Sequence, residues 1–145
     1  MANFTKVGAN GEPQDINRAS SIVTITTETT HTIDSADKTF LIGTDAIVQT
    51  LPLIGNSTFP IGSKITFVNI GADGNNLITL SPNAANAVVG TIANAAADSV
   101  ASGALDKDIV NTKATSNKGD RITLQALSST QWYIIDGVGI WASEA

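Results

Sequence analysis

From Ser21 onward the chain is a succession of short apolar and β-branched runs separated by turn residues, the spacing of a sandwich or barrel. The pattern predicts strands at Ile22–Thr27, Thr30–Ile33, Thr39–Ile42, Ile47–Leu51, Lys64–Ile70, Leu77–Leu80, Val88–Ile92, Arg121–Leu127 and Trp132–Ile135. A period of two is explicit in two of them. Ile65, Phe67 and Asn69 alternate with Thr66, Val68 and Ile70, and Ile122, Leu124 and Ala126 alternate with Thr123, Gln125 and Leu127. Successive strand residues point to opposite faces, so each run presents one face to a core. Between Ile70 and Leu77 lies Gly71-Ala72-Asp73-Gly74-Asn75-Asn76, whose Asp-Gly pair accepts positive φ cheaply. This predicts a hairpin in which Lys64–Ile70 and Leu77–Leu80 are antiparallel partners.

Two stretches depart from the pattern. Residues 1–20 carry scattered apolar residues with neither period and read as an extended N-terminal arm, leaving residues 21–145 as one β domain. Ala84–Leu105 is rich in Ala, and Val88, Ile92, Ala96 and Val100 fall at a spacing of four, as on a helix. Gly90, Gly103, Asn86, Asn94, Asp98 and Ser99 oppose a long helix. The expectation is a strand at Val88–Ile92 followed by a peripheral excursion over Ala93–Lys107 with at most a helical turn.

Composition strengthens the β reading. Thr (18), Ile (17) and Val (9) dominate a chain of 145 residues, and such side chains fit a pleated sheet better than a helix. Charged residues make up only 14%, so Thr, Ser, Asn and Gly must cover much of the surface. The predicted fold class is therefore all-β, a single antiparallel β-barrel or jelly-roll-like sandwich with the N-terminal arm. The net charge of −5 offers no basic field for phosphate backbones, so nucleic acid is not an expected partner. No apolar run is long enough for a membrane span, and no export signal stands out, so a membrane partner is not expected either.

The residues offer little chemistry. Without cysteine there are no disulfides, thiolate metal sites or thiol nucleophiles. The sole histidine, His31, cannot form a histidine pair within one chain and reads as a surface or hydrogen-bonded residue. Asp34, Asp37, Asp45, Asp73 and Asp120 lie beside turn residues, where backbone bonding accounts for them. Asp73-Gly74-Asn75-Asn76 lacks the spacing and closing Glu of a calcium loop, and no Gly-rich phosphate cradle leads into a helix. No enzyme activity, metal or cofactor is expected. Trp132 is predicted to pack in the core, whereas Trp141 is predicted to cap the barrel or meet a neighbour. Short strands with open edges favour oligomerisation.

The segments Asp37-Lys-Thr-Phe-Leu-Ile-Gly-Thr-Asp45, Ile47-Val-Gln-Thr-Leu-Pro52 and Lys64-Ile-Thr-Phe-Val-Asn-Ile-Gly-Ala-Asp-Gly-Asn-Asn-Leu-Ile-Thr-Leu-Ser-Pro82 resemble the head decoration proteins of tailed bacteriophages. Asn111–Thr115 and Lys118–Asp120 ahead of the Trp-Tyr strand extend the resemblance, which covers roughly Asp34 to Trp141. It implies a small β protein that trimerises on the outer capsid surface, is assembled in the bacterial cytoplasm and cements neighbouring major capsid proteins. A receptor- or glycan-binding module of a tail fibre is the alternative. No contact residues transfer from the resemblance. This sequence itself points to the Met1–Ala19 arm, the Ala93–Lys107 excursion and the Val138–Trp141 tail, with Phe4, Val7, Ile16, Val100, Leu105, Ile140 and Trp141 as candidate interface residues.

Overall fold

The computed structural model describes residues 21–92 and 99–144. Twelve strands form two sheets: β1 (Ile22–Ile25), β2 (Thr29–Thr30), β3 (Lys38–Ile42), β4 (Ile47–Thr50), β5 (Lys64–Asn69), β6 (Ile78–Ser81), β7 (Ala87–Ile92), β8 (Ser99–Leu105), β9 (Ile109–Asn111), β10 (Arg121–Ala126), β11 (Gln131–Val138) and β12 (Trp141–Ser143). One sheet has seven strands in the order β1-β3-β5-β10-β11-β7-β8; the other has five, β12-β9-β6-β4-β2. The fold is all-β, a sandwich of two mixed sheets rather than a closed barrel.

The predicted antiparallel plan needs correction. From β1 to β7 the chain changes sheet at every step, so alternate strands run the same way and pair in parallel: β1 with β3, β3 with β5, β2 with β4, and β4 with β6. The predicted hairpin is likewise absent. β5 pairs with β3 and β10, whereas β6 lies in the other sheet between β4 and β9. The Asp73-Gly74 turn does not close a hairpin because the Ile70–Leu77 connection is longer than a two-residue loop and carries the chain across the sandwich. Its geometry is held from beneath by Asn76, whose side chain packs so closely on Gly71 that a Cβ there would meet Asn76 Nδ2 at 2.0 Å.

The excursion over Ala93–Lys107 is also corrected where it is described. Ser99–Leu105 is the edge strand β8, antiparallel to β7; residues 93–98 and the arm at 1–20 lie outside the described residues. β9 and β12 were not anticipated, because strands of three residues carry too little of the alternating pattern to stand out. Of the stretch predicted as Thr30–Ile33, only Thr30 belongs to β2, and Ile33 already opens a 3-10 turn at Ile33–Ser35.

Between the sheets the period-two prediction holds. Ile65, Phe67, Asn69, Ile122, Leu124 and Ala126 are all fully buried. They pack with Ile78 and Leu80 of β6, Ile109 of β9 and both tryptophans. Trp132 tilts over Phe59 at 4.8 Å between ring centroids, and its Nε1–H has no hydrogen-bond partner among the described residues.

Candidate functional site

At one end of the sandwich, where β3 and β5 finish and β10 and β12 begin, polar side chains form a buried network. Asn69 Nδ2 donates to Asn111 Oδ1 at 3.1 Å, and Asn69 Oδ1 accepts from Asn76 Nδ2 and from the Gly71 N–H. Asn111 Nδ2 donates to Asp120 Oδ2 at 2.9 Å and to the Ile140 carbonyl at 3.0 Å. Asp120 Oδ2 also accepts from the Asn117 N–H. Gly139, at φ +96°, leaves room for the carboxyl group; a Cβ there would lie 2.3 Å from it. Each amide of this cluster bonds to a neighbour, so the arrangement ties β5, β9 and β10 together.

The opposite end holds His31. Its ring lies edge-on to Phe40 and Phe67, with centroids at 4.5 and 5.3 Å. Gln49 Nε2 donates to the Thr27 and Val48 carbonyls, which turns Gln49 Oε1 towards His31 Nε2 at 2.9 Å. Nε2 therefore carries the proton and Nδ1 accepts from Ser35 Oγ at 2.9 Å. Burial pushes the His31 pKa below the usual 6.5, against a smaller upward pull from the Gln49 bond. The imidazole is a neutral, fully hydrogen-bonded core group, and its orientation leaves no free nitrogen for chemistry. Among the described residues, no three His, Asp or Glu side chains gather as metal ligands.

Three exposed carboxylates, Asp45, Asp136 and Asp73, are engaged as well. Asp45 pairs with Lys113, and that bond, followed by one from the Leu77 N–H, holds its carboxyl below the ordinary carboxylate range. Arg121 Nε meets Asp136 Oδ2 at 3.1 Å, and Asp73 Oδ1 accepts from the Lys118 N–H. Both ion pairs are solvent-exposed and join surface segments at little net gain.

What the surface presents instead is apolar. On the outer face of the seven-stranded sheet the registers align Thr24, Leu41, Val68, Arg121 and Val138 in one row and Ile22, Thr39, Thr66, Thr123 and Asp136 in the next. Apart from the Arg121–Asp136 pair these two rows are uncharged, with Ile22 61% and Val138 42% exposed. A second feature sits beside the edge strand β2, below His31: an open cleft of about 310 Å³ floored by Leu51 and Pro52, flanked by Ile33 and Leu53 and rimmed by Thr30 and Thr58. No Lys, Arg, Asp or Glu side chain lines it.

Two of the candidate interface residues that are described, Leu105 and Ile140, lie at opposite ends of the sandwich. Leu105 is exposed at the end of β8 nearest the start of β7, whereas Ile140 is half-buried at the other end of the sandwich, beside the asparagine network. Trp141 corrects its prediction: only 1% exposed, it packs in the core, and its indole N–H donates to the Val138 carbonyl at 3.1 Å. Its side of β12 faces inward because β12 pairs with β9 as part of the five-stranded sheet. Val100 lies on β8, and Phe4, Val7 and Ile16 lie outside the described residues. Sequence reasoning placed Val138 in its C-terminal contact region but missed Ile22, Leu41 and Val68; the signal was the aliphatic outer positions of the alternating strands, readable only once the strand order is known. In comparisons with known proteins, no family model and no curated protein matches this chain.

Proposed function

We propose that this protein is a structural virion component that decorates the outside of a tailed-phage capsid as a homotrimer and stabilises it by binding the major capsid protein. The observation that carries the reading is the pair of rows on the outer face of the seven-stranded sheet, where Ile22, Leu41, Val68 and Val138 stand among threonines and the charges are the paired Arg121 and Asp136. A face of this kind suits flat association with a repeated surface. The buried asparagine network supports the same reading, since it ties separate strands into one stiff body. On a closed shell each contact can be weak, because many copies acting together raise the effective affinity.

Purified protein added back to capsids stripped of it tests this reading. The expected result is a sedimenting trimer that rebinds the shell and raises its melting temperature. A monomer that leaves the shell's melting unchanged would overturn it.

A further inference from the structure

The end of the sandwich that holds His31 presents a second surface. Strands β4, β6, β8 and β10 finish there and β3, β5, β7 and β11 begin there, as the registers Thr50↔Ser81, Ala87↔Leu105, Lys64↔Gln125 and Gln131↔Ala87 show. Three connections at this end, 51–63, 82–86 and 127–130, contain no Lys, Arg, Asp or Glu. The connections of the opposite end carry the exposed Asp45, Asp73, Lys113 and Lys118. Of the eight large hydrophobic residues exposed among the described residues, six lie at the His31 end: Ile22, Ile33, Leu53, Ile61, Leu105 and Leu127. The acidic residues exposed there, Asp34, Asp37, Asp106 and Glu144, lie outside the three connections, with Asp37 and Asp106 next to Lys38 and Lys107 in the chain.

This apolar end is preformed. Asn86 is fully buried; its Oδ1 accepts from the Ile54 N–H at 3.2 Å, its Nδ2 donates to the Ser129 carbonyl at 3.2 Å, and its own carbonyl accepts from the Asp106 N–H at 3.1 Å. One residue thereby ties together the segments that carry Leu53, Leu127 and Leu105. The Gly62 N–H bonds to the Ala126 carbonyl, which brings the segment of Ile61 to that of Leu127.

We infer that the trimer closes through this end, each copy setting its uncharged connections against a second copy, while the outer face of the seven-stranded sheet is left for the shell. The inference rests on the trimer reading given under the proposed function and assigns it a surface. Charge identifies the partner. A chain of net charge −5 repels its own copies, so self-association is favoured where contact sets no charge against another and takes none out of water. Burial of the exposed aliphatic side chains drives the contact, and a heterologous contact repeated around a threefold axis closes a ring.

Ile61→Asp and Leu127→Asp each place a charge on this end at a position that is already half exposed. Sedimentation velocity is expected to show a trimer for the unaltered chain and for the outer-face control Val138→Asp, and monomers for both end variants, with the near-ultraviolet dichroism of the buried Trp132 and Trp141 retained. A monomeric unaltered chain would overturn the trimer reading and this inference with it. A trimer that survives both end substitutions, or one that Val138→Asp dissolves, would overturn the inference alone. Because the chain has no cysteine, maleimide labelling of single-cysteine variants reports the covered surface directly. Ile61→Cys is expected to label slowly in the trimer and rapidly once dilution yields monomer, whereas Glu28→Cys, at the opposite end, labels rapidly in both. Equal labelling of the two positions in the trimer would overturn the inference. So would protection of Ile61→Cys that persists in the monomer, which would give the cover to another part of the same chain.

Discussion

His31 makes stability depend on pH in a defined direction. Its folded-state pKa lies below the ordinary 6.5 because the ring is buried between Phe40 and Phe67, so the unfolded chain binds the proton more tightly. Stability rises with pH wherever the unfolded state holds more protons. The contribution of the neutral ring is therefore complete above the unfolded value and is lost as pH falls from there towards the lower folded value. Protonation would also turn Nδ1 from an acceptor into a donor facing Ser35 and place a charge in the core. The urea midpoint is expected to fall between about pH 7.5 and about pH 5.5. His31→Gln, which cannot titrate, is expected to lower the midpoint at both values and to remove most of the difference between them. An equally steep decline in the variant would assign the pH dependence to other groups. Asp45, held low by Lys113, keeps its contribution throughout this window and loses it only at more acid pH, which leaves the window clear.

At the scale of elements, the asparagine network substitutes for the connections that a hairpin plan would have supplied. Asn111 bonds to Asn69 at the end of β5, to Asp120 just before β10 and to Ile140 just before β12. Asn111→Ala leaves several buried groups without partners, at about 1–3 kcal/mol each where no water replaces the bond. A loss of about 3 kcal/mol in unfolding free energy is expected by denaturant titration, and a loss below about 0.5 kcal/mol, the usual range for surface changes, would show that the network is dispensable. Asn69 illustrates what the sequence could and could not reveal. Alternation placed it on one face with Ile65 and Phe67, and the structure buries that face. That its carboxamide joins Asn76 and Asn111, from segments 7 and 42 residues away, depends on the order of strands, which no local pattern encodes. The same limit explains the parallel pairings: strand positions follow from side-chain period, but the repeated change of sheet is set by how the connections cross the core. β8 was hidden by its Ala and Gly content, whose small side chains give no clear alternation.

The whole molecule is a two-sheet body in which, among the described residues, the buried side-chain polar atoms other than Trp132 Nε1 are hydrogen-bonded, and exposed aliphatic residues lie on its outer face and along its seams. Exposed edges and uncharged faces are tolerated in a protein that functions as one of many copies on a larger surface, because assembly covers them. The low charge fraction fits that setting better than a freely diffusing one. Under the proposed role, the number of copies of this chain in purified phage particles is the most direct test, by quantitative gel or by cryo-electron microscopy of intact virions. Decoration of the head predicts hundreds of copies arranged on the shell; a handful confined to the tail, or none, would contradict it.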